Sequence, residues 1–149
     1  MRKNLLDKTV AQEIIDRANA LTLETAGKWG KMNATEMLAH CNLINQTMLD
    51  GTLPYKRTTP VQFVARFLFL NLIPKFPRNL KIPAENTTKG KVAREKFEAE
   101  KARFIAIMQT FTERQAITVT HPAFGNLNAE ELGKLTWMHM DHHLRQFGV

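Results

Sequence analysis

Asn33-Ala-Thr-Glu36 and Asn128-Ala-Glu-Glu131 each place an asparagine three residues ahead of a glutamate. That spacing predicts a capping box, in which the asparagine side chain accepts from a free backbone N–H of the first helical turn while the glutamate reaches back to the N–H of the cap. Apolar residues at helical spacing follow both boxes. The chain is therefore committed to two long helices far apart in sequence, one running from about Asn33 to Asp50 with Gly51 as its stop, the other from Asn128 to about Phe147.

The remaining pattern fits around this pair. Val10, Ile14, Ala18 and Leu21 recur at spacings of three and four, which predicts a first helix within 7–23, ahead of a turn containing Gly27 and Gly30. Val61 to Ile73 lies between two prolines and reads as a shorter helix, after which Pro74, Pro77 and Pro83 hold residues 74–88 extended or in turns. Ala93, Phe97, Phe104, Met108 and Phe111 share one face, predicting a long helix over 89–111. Ala116 to Thr120 hints at extended backbone and is read as a short loop. With 149 residues, no repeat and no linker composition, the expectation is one all-α domain over 1–149. Its predicted architecture is an up-down four-helix bundle with an extra short helix and a proline-rich crossover.

Composition narrows the function classes. The chain is 44% hydrophobic and 23% charged, close to ordinary globular usage. A single cysteine, Cys41, forms no internal disulfide, and the first residues carry no continuous apolar stretch of the secretory type, so the expected compartment is the cytoplasm. The net charge of +7 belongs to one segment. Between Leu53 and Lys91 there are eight basic residues against Glu85 alone, and elsewhere the signs cancel. Such a segment attracts anions, with Arg57, Arg66 and Arg78 as candidate contacts. It lacks aromatic residues alternating with its cations on one exposed face and has no recognition-helix pattern, which disfavours nucleic acid as the partner. Within it, RFLFLNLI turns apolar residues in nearly every direction yet is too short to span a bilayer, which takes about 20 apolar residues. A homodimer contact or a lid over a pocket is expected there, with peripheral membrane contact as the alternative.

Three of the five histidines lie in the last helix. At 100° per residue, Leu132, Leu135, Thr136, His143 and Gln146 all fall within about 60° of His139, so His139 and His143 occupy the inward stripe one turn apart. His142 lies at the edge of that stripe and is the alternative to His143. In the second helix, His40 shares an inward face with Met37, Leu43, Ile44 and Thr47. Three imidazoles in an apolar interior need partners for both nitrogens, and a divalent cation satisfies three lone pairs at once. Spacing by itself does not bring His40 to the other two. Thr47, Thr136 and Gln146 are candidates to orient the ligands, and Glu36, one turn before His40, could orient a ligand or act as a base. Asp141 points away from the stripe and is expected in solvent; Cys41 is expected to be a small buried hydrophobe. His121 precedes a proline in a loop and is expected at the surface, with an approach to the pocket mouth as the alternative.

WGKMNATEMLAH together with the terminal HMDHHLRQ resembles the DinB-like superfamily of metalloenzymes, which includes the YfiT-like and the bacillithiol- or mycothiol-dependent transferases. HPAFGNLNAEELGKLTWMHMDHHLRQF is most similar to an uncharacterised branch of it. The resemblance implies a four-helix bundle carrying one divalent metal on His40, His139 and His143. It also implies chemistry of the thiol S-transferase kind. Many relatives place Arg-Gly-Gln after the last ligand, where this chain has Leu144-Arg145-Gln146. A metal held by three neutral ligands keeps an open position and its full charge, which suits activation of a thiol or a water. Three imidazoles accommodate zinc, nickel or iron alike. The expected function is thus a metal-dependent enzyme acting with a low-molecular-weight, anionic thiol on a small electrophile. The alternative is a non-catalytic binding module, stabilised by its metal, whose 53–91 segment docks an anionic lipid, nucleic acid or protein.

Overall fold

The structure, a computed structural model, describes residues 3–51, 58–78, 86–114 and 117–149. Five α-helices and one two-stranded hairpin occur among them: α1 Lys8–Asn19, α2 Ala34–Leu49, α3 Pro60–Asn71, α4 Phe97–Glu113, β1 Val119–His121, β2 Gly125–Leu127 and α5 Ala129–Gln146. Both predicted capping boxes are present. Asn33 accepts from the Glu36 N–H at 2.9 Å and Glu36 accepts from the Asn33 N–H at 2.9 Å, and Asn128 and Glu131 repeat the arrangement on α5. A third box, Thr59 with Gln62, opens α3 ahead of Pro60, whose missing N–H is one that no helix start can bond internally.

Three sequence expectations are corrected. The helix predicted from Lys89 begins eight residues later, at Phe97, after a single 3-10 turn over Arg94–Lys96, and Ala93 is extended and exposed. Tertiary hydrogen bonds hold the preceding residues: Thr88 donates to the Glu36 carbonyl at 2.6 Å, and the Gly90 N–H donates to the Glu36 carboxylate at 2.6 Å. The stretch read as a loop at 116–120 contributes Val119 and Thr120 to a strand, paired antiparallel with β2 in the register Val119 to Leu127. The fold is therefore mostly helical but not strictly all-α. Asp141, expected in solvent, is instead an ion-pair centre between Arg17 of α1 (3.0 Å) and Arg145 (2.7 Å).

The core lies where α4 packs against α1 and α2 and where α5 meets the same two helices. Phe104, Met108 and Phe111 supply the α4 side, and Ile14, Leu38 and Leu132 supply those of α1, α2 and α5, all fully buried in one cluster. Each such side chain contributes roughly 1.5–3 kcal/mol by leaving water. The α3 helix and the hairpin pack against the N-terminal part of α5 and join this core through Leu70, Val119 and Leu127. No described helix is long and apolar enough to cross a membrane.

A candidate metal centre between two helices

His40 projects from the middle of α2, and His139 and His143 project from successive turns of α5. The structure brings the three together. His139 Nε2 lies 3.3 Å from His40 Nε2 and 3.0 Å from His143 Nε2, and one ligand atom from each residue falls within 4.8 Å of the others. Nitrogens bound to one ion at about 2.0–2.1 Å stand roughly 3.0–3.4 Å apart, and both contacts of His139 have that spacing.

The outer nitrogens explain why the lone pairs point inward. His40 Nδ1 donates to the Asn86 carbonyl at 2.8 Å, and His143 Nδ1 donates to the Gln146 side-chain oxygen at 2.9 Å. The Gln146 amide is fixed in turn, because its nitrogen donates to the Trp29 carbonyl at 2.7 Å. With the protons of His40 and His143 on Nδ1, both Nε2 atoms are acceptors facing His139, which holds at most one proton there. That proton serves one neighbour only. A group of three neutral imidazoles cannot satisfy itself in this geometry, whereas a cation uses all three lone pairs.

Burial keeps these rings neutral. His143 is pushed down to about 3, first by loss of water and then by His40. His139 lies well below its ordinary value for the same first reason, reinforced by His143, His40, His142 and His121. His40 is lowered by burial against the opposing pull of its Asn86 bond. Neutral imidazole is the form that binds a metal.

The group opens onto a cleft of about 390 Å³. Trp29, Met32 and Phe76 form its apolar wall, and among the described residues Lys31 and Lys89 are its cations and no carboxylate lines it. Gly30 belongs to the same wall with φ of +83°, and a Cβ there would stand 2.2 Å from the Gln146 amide nitrogen. Only glycine lets this turn pass so close to the residue that orients His143.

The other candidates divide. Gln146 occupies the orienting place expected of it. Thr47 lies off the cleft and donates back to the Leu43 carbonyl at 2.7 Å, and Leu43 itself is 39% exposed rather than inward. Thr136 is buried one turn before His139, its hydroxyl without a hydrogen-bond partner among the described residues. Both Glu36 oxygens accept from backbone, at Asn33 and Gly90, which makes it a brace between α2 and the segment that carries the Asn86 carbonyl. His142 lines the cleft with its ring 6.0 Å from that of Phe76, while the ligand atoms that converge are those of His40, His139 and His143, so the structure gives the third position to His143. Arg66 pairs with Glu131 at 3.3 Å and donates to the Asn126 carbonyl, away from the cleft; Arg78 stacks over Trp29 at 4.2 Å, at its rim; Arg57 lies outside the described residues. Cys41 is fully buried, with its thiol pushed up by loss of water, and touches the Met37 sulfur.

Residues that pattern reading missed include Lys31, Lys89 and Phe76 in the wall and the Asn86 and Trp29 carbonyls. Backbone acceptors leave no trace in residue type. His121, at the end of β1, stacks on Phe124 at 4.9 Å and lies close enough to act on His139, while burial holds it down to about 4. Phe124, Phe69 and Phe76 continue that contact as a run of rings to His139.

The sequence matches the family described as protein of unknown function (DUF1569) over residues 1–148, and the chain belongs to that family. No curated protein and no solved structure matches it.

Proposed function

We propose that this protein is a metal-dependent enzyme of the thiol S-transferase kind, related to the DinB/YfiT-like metalloenzymes, with its four long helices forming a bundle around the site. The reading assigns His40, His139 and His143 as ligands of one divalent ion, zinc, nickel or iron. The observation that carries it is the convergence of three Nε2 atoms while two of the opposite nitrogens are held by carbonyl oxygens. When bound there, a divalent ion lowers the pKa of a thiol from its free value of about 8.5, or of a water to about 7, and so supplies a nucleophile at neutral pH.

The chain's own residues account for the rest. Asn86 and Gln146 hold the ligand rings in one tautomer and one orientation. Lys31 and Lys89 meet the carboxylates of an anionic thiol, with Arg78 at the rim, while Trp29, Met32 and Phe76 exclude water beside the reacting sulfur. The two lysines among the described wall residues support an anionic rather than a cationic substrate.

Elemental analysis of the purified protein, followed by a screen of low-molecular-weight thiols against small electrophiles, tests this reading. One metal per chain, lost in His40→Ala and His139→Ala, is expected, together with turnover that needs the metal. Absence of metal removes the proposal. Metal without turnover leaves the second reading, a binding module whose ion ties α2 to α5.

A further inference from the structure

The outward side of α3 breaks the usual rule for a surface helix. Val61, Phe63, Val64, Phe67, Leu68 and Leu72 are all large, apolar and exposed, at 42–77% of their full area. At 100° per residue they occupy one continuous sector of about 180°. The inner side is fully engaged. Leu70 is buried, Gln62 donates to the Pro122 carbonyl at 2.7 Å, Arg66 pairs with Glu131, and Phe69 packs on Phe76 and Phe124. The helix is thus firmly seated with its apolar half turned to water.

Charge decides what covers it. The chain holds no acidic residue between Asp50 and Glu85, and α3 leads into Lys75 and Arg78, both exposed. A second copy docking through this face would set the same cations against each other. A specific protein interface carries hydrogen-bonding groups among its apolar ones. The outer sector offers only Asn71, whose amide donates to the Phe67 carbonyl at 2.8 Å. An aromatic-rich apolar face on a segment whose only charges are cations is the pattern of a helix lying in a lipid interface. Twelve residues make a helix about 18 Å long, well short of the roughly 30 Å hydrocarbon core, so it lies in the plane of the interface.

We propose that the outer face of α3 docks this protein onto an anionic lipid surface, the apolar side chains entering the headgroup boundary and the exposed Lys75 that follows the helix meeting the lipid charge. The docking is independent of the metal centre. Phe69 lies on the opposite side of the same helix, so the docked protein would present the rings above the histidine cleft close to the membrane.

Cosedimentation of the full chain with vesicles of phosphatidylglycerol and phosphatidylcholine, against phosphatidylcholine alone, tests the proposal. Binding to the anionic vesicles is expected to be at least tenfold stronger and to weaken with salt. V64S/F67S/L68S keeps the net charge, so it separates insertion from simple attraction; at least a tenfold loss is expected, with an unchanged circular dichroism spectrum. Should that variant misfold, V61S/L72S alters two of the most exposed positions, at 77% and 64%, and is expected to weaken binding severalfold. No binding to anionic vesicles, or equal binding by a folded serine variant, overturns the proposal. So does a dimer in solution that the serine variant turns into monomer while vesicles remain unbound.

Discussion

The inner face of α5 and the outer face of α3 depart from ordinary burial in opposite directions. On α5, polar rings that water would solvate well are carried into the interior; on α3, side chains that the core would accept are left outside. Buried polar groups and exposed apolar patches are the informative exceptions in a folded chain. Each has its own compensation. The imidazoles are oriented by carbonyls and left with converging lone pairs, while the apolar half of α3 is anchored from behind by an ion pair and by aromatic contacts. The contrast teaches that burial alone explains neither region: converging lone pairs in the interior suit a cation, and an apolar half left in water suits an apolar surface.

Removing the ligands should break this comparison most completely. H139A/H143A is expected to lower metal affinity by well over about 100-fold, more than loss of an orienting group does, and elemental analysis of the purified variant measures it. The α3 serine variants should keep the full metal content. Metal retained by H139A/H143A would dissolve the contrast, since the interior would then hold its rings for packing alone.

Acid should separate the two regions next. The unfolded chain binds protons at its histidines near pH 6.5, whereas the folded chain resists them, with His143 held down to about 3 and His139 and His40 also lowered. The unfolded state therefore binds more protons across this interval. Stability contributed by these rings is complete above about pH 6.5 and falls as pH drops from there towards 3. A melting temperature that is flat above neutrality and declines steadily between about pH 6.5 and 4 is expected, with metal released in the same window. Serine substitutions on α3 should leave that profile unmoved.

Gln146→Leu sharpens the contrast within the site. It removes the acceptor of His143 Nδ1 and the donor to the Trp29 carbonyl, so metal affinity should fall roughly 10–100-fold and stability by about 1–3 kcal/mol. Gly30→Ala should act on the same residue through backbone, because its Cβ would collide with the Gln146 amide. Metal titration and thermal melting distinguish the two losses. The smallest effect belongs to α3, where V61S should change stability by no more than about 0.5 kcal/mol in chemical denaturation. A larger loss would mean that the outer face already has a structural partner.

Local rules account for what could be read in advance. Capping boxes, the glycine after α2 and the apolar stripes of α1 and α5 act within one or two turns and were present where residue spacing put them, while the α2 stripe held at Met37 and His40 but not at Leu43. Gln146 was legible for the same reason, since it stands three residues from His143 on one face. Thr47 failed because a threonine hydroxyl in a helix can turn back to its own carbonyl ladder, a choice that residue type does not reveal. Arg66 looked like a free cation until Glu131, distant in sequence, proved to be its neighbour. The start of α4 was misplaced because residues ahead of it have helical composition but bond across to Glu36.

By itself the sequence determined the helices, the inward stripe carrying His139 and His143, and the inward turn of His40, because periodicity and capping are fixed by neighbours a few residues away. Only the tertiary structure decided that His40 meets His139 across 99 residues, that His143 rather than His142 completes the group, and that one half of α3 is left in water. Those outcomes depend on how helices pack and which carbonyls they bring within reach, and no spacing along a single helix encodes them.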